Sequence, residues 1–485
     1  MLFRSRRVPP WWPLLAAMVL VAPLVAAAQS LPPEVDAALA RARVPRDALA
    51  AVVVGVEPRS VPRLSWRADR PMNPASVMKL VTTFAGLELL GPAFTWRTQV
   101  FLDGAVRDGT LHGNLYIKGG GDPKLVSERL WLLLRRVRGL GIDKVAGDIV
   151  LDHSAFEPVS SDPAAFDNEP LRPYNAAPDA LLVNFKSVLM NFVPDPAGKV
   201  ARIHYEPPLA GVALPPAVAL KGGGCGDWRG GLRADFSDPD RIRFAGAYSA
   251  ACGEKLWGIA LPLGERYATS AVAGMWRAIG GTLSGQVRDG RTPAALAPAF
   301  EVESPPLADV IRDINKFSNN LMAQQLFLTL SLQGAGTGTV AGSRAALQGW
   351  WKSRFDAPPP AVVNGSGLSR DARIEAGALA RMLQAAFASP VMPELLASLP
   401  ISGVDGTLRH SRNGAVGAAH LKSGSLRDVT ALAGYVDGAS GQRYVLIAIV
   451  NDPNANAARA ALDALVDWTR IDSARLDAAR GAARR

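Results

Sequence analysis

The chain has 485 residues, 48% of them hydrophobic and 20% charged, and a formal charge of +10 at pH 7. That length exceeds what one hydrophobic core serves, so two or three domains are expected, and the apolar content excludes a disordered chain. The basic excess is mostly arginine, scattered without blocks or interleaved aromatics, which argues against nucleic-acid binding.

Residues 1–28 read as a secretory signal, with Arg4, Arg6 and Arg7 ahead of an apolar core from Trp11 to Val25 and small residues at Ala26-Ala27-Ala28. The core falls short of the roughly 20 apolar residues a membrane helix needs, and Pro13 and Pro23 interrupt it. Removing three arginines from +10 leaves a mature charge of +7. No later stretch reaches spanning length, so an exported, soluble protein is expected, with an uncleaved anchor as the alternative. Export places Cys225 and Cys252 in an oxidising compartment, and a disulfide across the segment introduced by Lys221-Gly222-Gly223-Gly224 is expected. Two free buried thiols are the alternative.

Leu49–Val56 and Arg63–Ala68 read as strands. A helix is expected next, with Asn73 as its cap, Pro74 at its first position and Gly91-Pro92 at its end. Apolar residues on every side of it predict burial. Within it Ser76 and Lys79 share a face at a spacing of three. Burial disfavours an ammonium, so Lys79 is a candidate base for a Ser76 nucleophile, and unpaired N–H groups of the first turn suit a developing oxyanion. An accidental pair on a surface helix is the plain alternative. The motif needs partners.

Beyond Phe94 the texture changes. Thr95–Phe101, Leu111–Ile117 and Lys144–His153 read as strands, Ser127–Gly139 as a helix, and short strands continue from Leu181 to Leu261 before a helix at Thr269–Ile279. Gly119-Gly120-Gly121-Asp122-Pro123 lacks the context of a phosphate loop and reads as a turn. This strand-rich block, residues 97–296, is expected to form one or two inserted domains.

Helices resume at Leu307–Asn315 and Leu321–Leu330, with Ser318 and Asn320 in the turn between them. Either polar side chain can face a cleft; Ser318 or Asn319 can equally cap the second helix. Gly365-Ser366-Gly367-Leu368-Ser369-Arg370 forms a glycine-punctuated turn, helices follow from Ala376 to Ser398, and Val404-Asp405-Gly406-Thr407-Leu408 turns again. Ala419–Ser425 is a strand carrying Lys422, Ser423 and Gly424; Ala431–Val436 and Tyr444–Val450 form a hairpin, and Ala455–Trp468 a closing helix. The five histidines show no metal spacing, and His420 is expected to be packed or solvated.

Three elements now stand in order: Ser76-x-x-Lys79, Ser318-x-Asn320 and Lys422-Ser423-Gly424. This set is shared by penicillin-binding proteins and class A β-lactamases. With the long insertion, Gly121-Asp122-Pro123, the turn at 365–370 and Val404-Asp405-Gly406-Thr407, the chain resembles the low-molecular-mass class C penicillin-binding proteins, the D-alanyl-D-alanine carboxypeptidase/endopeptidases. The resemblance covers the whole mature chain. It implies an α+β, transpeptidase/β-lactamase-like fold: an antiparallel sheet flanked by helices, built from residues 29–96 and 297–485, with strand-rich insertion at 97–296. It further implies Ser76 as nucleophile, Lys79 as base, Ser318 as proton carrier to the leaving amine and Asn320 holding the substrate amide. Lys422 and Ser423 would meet the peptide carboxylate, with Gly424 on the same strand, and the N–H groups of Ser76 and Ser425 would form the oxyanion hole. Arg370 is a candidate for an acidic group of the stem peptide, or a structural arginine.

The implied substrate is a peptidoglycan peptide ending in D-Ala-D-Ala, in the periplasm, with β-lactams as inhibitors and no metal or cofactor. Two rivals share the fold: a serine β-lactamase, and a non-catalytic β-lactam or peptidoglycan sensor. The chain departs from the family at Ser423, where threonine is commoner, and at Asn364, where Asp is expected.

Overall fold

The computed structural model describes residues 30–159 and 162–483, the side chains of 472–483 excepted. The leader read over residues 1–28 lies outside the described residues. Chain segments from the two ends meet in one five-stranded sheet, ordered Leu64–Trp66, Leu49–Gly55, Arg443–Asn451, Val429–Asp437 and Ala419–Leu426. Every neighbouring pair is antiparallel. The two-residue period of a strand sorts its apolar residues to opposite faces. Ala50, Val52 and Val54 join Ala433, Tyr435, Ile447 and Ile449 against helices Lys79–Leu90, Leu307–Lys316, Asn320–Ala335 and Ala376–Phe387. Ala51 and Val53 join Leu421, Leu432, Leu446 and Val450 against helices Pro33–Arg41 and Arg459–Ala483. Both faces are buried, which is why the two central strands read as unbroken apolar runs.

The intervening chain builds a separate core. One five-stranded sheet (Ala247–Ser249, Ala217–Lys221, Val200–Glu206, Val188–Asp195, Lys255–Ile259) and another from Arg97–Asp103, Asn114–Lys118, Ile149–Asp152, Val287–Asp289 and Phe300–Glu303 share it with helices Ser127–Gly139 and Arg266–Ala278. Two expected strands are each split in two. Thr110–Leu111 and Asn114–Lys118 are separated at Gly113, where a Cβ would stand 1.5 Å from the carbonyl of Asp103, and Lys144–Val145 and Ile149–Asp152 are separated around Gly147. Cys225 and Cys252, 27 residues apart, form a disulfide at the edge of this core.

The two cores are joined along helix Asn320–Ala335. Gln325, fully buried, accepts from Asp179 N and donates to the carbonyls of Asp179 and Gly121. The glycine-rich stretch at 119–121 is the turn expected, used here as a docking surface for that helix. Among the described residues no helix is long and apolar enough to cross a membrane.

Candidate active site

Ser76 lies on a single 3-10 turn, Ala75–Met78, that runs directly into helix Lys79–Leu90. The expected helix beginning at Pro74 is thereby corrected. Ala75 has a φ of +48°, a left-handed conformation through which a right-handed α-helix cannot pass. Asn73 does not cap the helix; its Oδ1 receives the N–H of Ala75 at 2.9 Å. Asn73 is itself clamped, exchanging hydrogen bonds of 2.8 and 2.9 Å with the side chain of Asn451 and donating Nδ2 to Ser369 O at 2.8 Å. In a 3-10 turn residues three apart eclipse, so the tighter turn aligns the pair more closely than an α-turn. Lys79 Nζ stands 2.9 Å from Ser76 Oγ.

Lys79 is fully buried, and its Nζ also meets Asn320 Oδ1 and Ser366 O, each at 2.6 Å. Burial first, and then the charge of Lys422, hold its pKa well below the ordinary lysine value. The three neighbours decide where the proton goes. A neutral amine has two N–H groups and one lone pair; Asn320 Oδ1 and Ser366 O only accept, so they take the N–H groups. The lone pair is left facing the one neighbour that carries a proton, the Ser76 hydroxyl.

The Ser366 carbonyl is aimed by its own turn. Asn364 Oδ1 accepts from Ser366 N at 3.1 Å and Oγ at 3.0 Å, while Asn364 Nδ2 donates to Leu368 O at 3.0 Å. A carboxylate at 364 has no donor for Leu368, so the asparagine found there is used for its amide. Gly367, at φ +77°, lets the turn approach Ser76: a Cβ would stand 1.9 Å from the carbonyl of Ala75.

The polar run after helix Leu307–Lys316 divides its work. Ser318, at φ +56°, turns its Oγ to Lys422 Nζ, 3.0 Å away. Asn319 caps the next helix by accepting from Met322 N at 3.0 Å. Asn320, the first residue of that helix, reaches Lys79. Lys422 is fully buried, donates to Ser423 O at 2.7 Å, and has its pKa lowered to about 7 by burial. Its ammonium therefore meets the cavity only by way of Ser318.

Strand Ala419–Leu426 is the sheet's edge. Ala419 O and Leu421 N pair outward, with Ser402 N and Pro400 O, at 2.9 Å each. By the period of two, the backbone groups of Ser423 and Ser425 also point away from the sheet, toward the cleft. Gly424 lies against the Ser76 turn; a Cβ there would stand 2.5 Å from Pro74 O and 3.2 Å from Ser76 N. Only glycine lets the strand come this close. Ser423 Oγ is paired with Thr407 Oγ1 at 2.7 Å, and the turn carrying Thr407 is tied down by Lys316 Nζ to Asp405 Oδ2 at 2.6 Å.

A cavity of about 880 Å³ opens over the serine, lined among others by Ser76, Ser318, Asn320, Ser425 and Arg370. Arg370 ion-pairs with Asp428 at 2.8 Å and lies over the ring of Phe166. The opposite wall comes from the insertion: Phe166, Tyr174, Phe185 and Leu189. Ser423 does not line this cavity but a smaller one of about 180 Å³, and Gly424, Lys79 and Lys422 line neither. His420 is half-buried and lines neither cavity. The sequence reading took Asn73 only as a cap and Ser366 and Thr407 only as turn residues, and it missed Asn451 and the insertion's wall. Asn73-Pro74 carried a turn signal; the others act through backbone atoms or contacts across the fold, which leave no local pattern.

Comparison with known proteins places this arrangement. The model of the D-Ala-D-Ala carboxypeptidase 3 (S13) family matches residues 31–471. D-alanyl-D-alanine carboxypeptidase DacB of Haemophilus influenzae is 25% identical over 397 residues, 78% of this chain and 80% of that protein. The D-alanyl-D-alanine carboxypeptidase of an Actinomadura species is 28% identical over 423 residues, 79% of this chain and 74% of that one. Among solved structures, penicillin binding protein 4 of Haemophilus influenzae aligns over 87% of this chain and 96% of its own, with a TM-score of 0.70 and 22% identity. The same protein has been solved with a β-lactam bound, at a TM-score of 0.67 and 22% identity over 90% of this chain and all of that one. At these identities the structures speak for the fold.

Proposed function

Because the chain belongs to the D-Ala-D-Ala carboxypeptidase 3 (S13) family, we propose that its cavity cleaves peptidoglycan peptides ending in D-Ala-D-Ala through an acyl-enzyme on Ser76. The protein is a serine-type D-alanyl-D-alanine carboxypeptidase, a hydrolase. The observation that carries the residue roles is the position of Lys79 Nζ, shared among Ser76 Oγ, Asn320 Oδ1 and Ser366 O in a buried site.

In this reading Lys79 takes the Ser76 proton as Oγ attacks the carbonyl carbon of the penultimate D-alanine. The N–H groups of Ser76 and Ser425 receive the oxyanion, which preorganised donors stabilise without further rearrangement. Collapse breaks the C–N bond; Ser318 gives its proton to the leaving amine and takes up the one Lys79 removed from Ser76, with Lys422 beside it, so that Lys79 is neutral again. Asn320 orients Lys79 through Oδ1 and presents Nδ2 to the substrate amide. The terminal carboxylate lies along the outward edge of Ser423 and Ser425, in the field of Lys422, and Arg370 faces acidic groups further along the peptide. Water then hydrolyses the ester, with Lys79 again as base.

A β-lactam offers the same carboxylate and a strained amide, so it acylates Ser76 and stays, its leaving amine tethered. Residues 29–96 and 297–485 act as the catalytic part, and the insertion at 97–296 borders its cleft. Residues 1–28 export the chain to the periplasm. The cavity, about 880 Å³ and walled in part by the insertion, has room for a crosslinked partner strand, which favours endopeptidase activity as well. Incubation with a D-Ala-D-Ala pentapeptide and with a crosslinked muropeptide dimer, followed by mass analysis, tests this. Release of D-alanine and of monomers is expected; an intact dimer removes the endopeptidase, and no D-alanine removes the whole reading.

A further inference from the structure

The smaller cavity, about 180 Å³, belongs to the face of the sheet covered by helix Arg459–Ala483, away from the Ser76 turn. Cross-strand pairing fixes this: Ser423 faces Leu432, whose side chain joins the core on that side, whereas Gly424 packs on Pro74. Arg412 and Arg459 line it, from a loop and from the first turn of the helix. Neither guanidinium has an ion pair or hydrogen bond among the described residues. Thr430, only 2% exposed, lines the same cavity, and its hydroxyl has no hydrogen-bond partner among the described residues. That hydroxyl opens onto the cavity and is free to donate. The one acid in the lining, Asp463, is already engaged: its Oδ1 accepts from Asn413 Nδ2 at 3.0 Å and from Ser411 Oγ at 3.3 Å.

We propose that this cavity is an anion-binding site, holding a compact carboxylate or phosphate group between Arg412 and Arg459 with the Thr430 hydroxyl as a further donor. Guanidinium pairs suit planar or tetrahedral oxyanions, and the volume admits a head group and little else. The site does not depend on Ser76 chemistry. Its ligand meets the Ser423–Thr407 hydroxyl pair that forms part of the wall.

Isothermal titration of the full chain at constant ionic strength tests it, with inorganic phosphate and with acetate as separate probes. Saturable binding of one equivalent is expected, and the tighter probe identifies the head group. Arg412→Gln and Arg459→Gln should each weaken it about tenfold or more. Arg459→Lys, which keeps the charge, should lose less, and Ser76→Ala should lose nothing. Both arginines are exposed, so the variants are expected to fold, as circular dichroism checks. No saturable binding of either probe at millimolar concentration, or unchanged affinity in both arginine variants, would overturn the proposal.

Discussion

Lys79 Nζ lies 2.9 Å from Ser76 Oγ with its other two hydrogen-bonding directions taken by acceptors that cannot give a proton back. The geometry leaves a neutral Lys79 one task, to accept from the serine. Lys79→Arg keeps the charge and cannot deprotonate, so acylation by a β-lactam should fall as far as in Lys79→Ala, about 10³-fold. Stopped-flow acylation kinetics on both variants check it; near-normal acylation in Lys79→Arg removes Lys79 from the mechanism.

Lys422 sets a second expectation, in pH. Its charge helps hold the Lys79 pKa down, so Lys422→Gln should let that pKa rise and move the acid limb of the acylation profile to higher pH. Stability should respond as well. Burial lowers the Lys422 pKa from the ordinary 10.5 to about 7. The cost of burying its charge is therefore complete below pH 7 and is relieved as pH rises from there toward 10.5, where the unfolded chain binds more protons. Relative to Lys422→Met, the wild type should gain stability between neutral and about pH 9, as urea unfolding at the two ends measures. A flat difference would place the charge outside the buried site.

Gly424 makes a geometric claim. A Cβ there would stand 2.5 Å from Pro74 O, which belongs to the turn carrying Ser76. Gly424→Ala should push the edge strand from the serine, costing about 1–3 kcal/mol of stability and about 100-fold in acylation. Unfolding midpoints and acylation rates, measured together, separate the two effects. Unchanged acylation would show that the strand's approach is not what positions Ser76.

What was legible in the sequence was local. Ser76 and Lys79 are three apart, Ser318 and Asn320 share one turn, and Lys422 to Ser425 share one strand, so spacing groups each set by itself; the family resemblance is what joined the three into one site. The apolar runs at Leu49–Val56 and Tyr444–Val450 announced central strands because both faces are buried. The helix start was misread because nothing in Asn73-Pro74-Ala75 signals a left-handed alanine; that conformation is imposed by Asn451 and Ser369, some 300 residues away or more. Ser366 acts through its carbonyl, which every residue possesses. The insertion's wall of Phe166, Tyr174, Phe185 and Leu189 looked like ordinary apolar residues of a remote stretch, since contacts made in the fold, at Gln325 and Leu321 among others, bring them over the serine.

The central claim is that Ser76 becomes covalently acylated. Peptide mapping after incubation with a labelled penicillin, run beside a D-alanine release assay, tests it most directly. The account predicts one label, on the peptide holding Ser76, stable over the assay, with D-alanine release from a D-Ala-D-Ala peptide, and the loss of both in Ser76→Ala. Label on any other serine, or D-alanine release that survives Ser76→Ala, would contradict it.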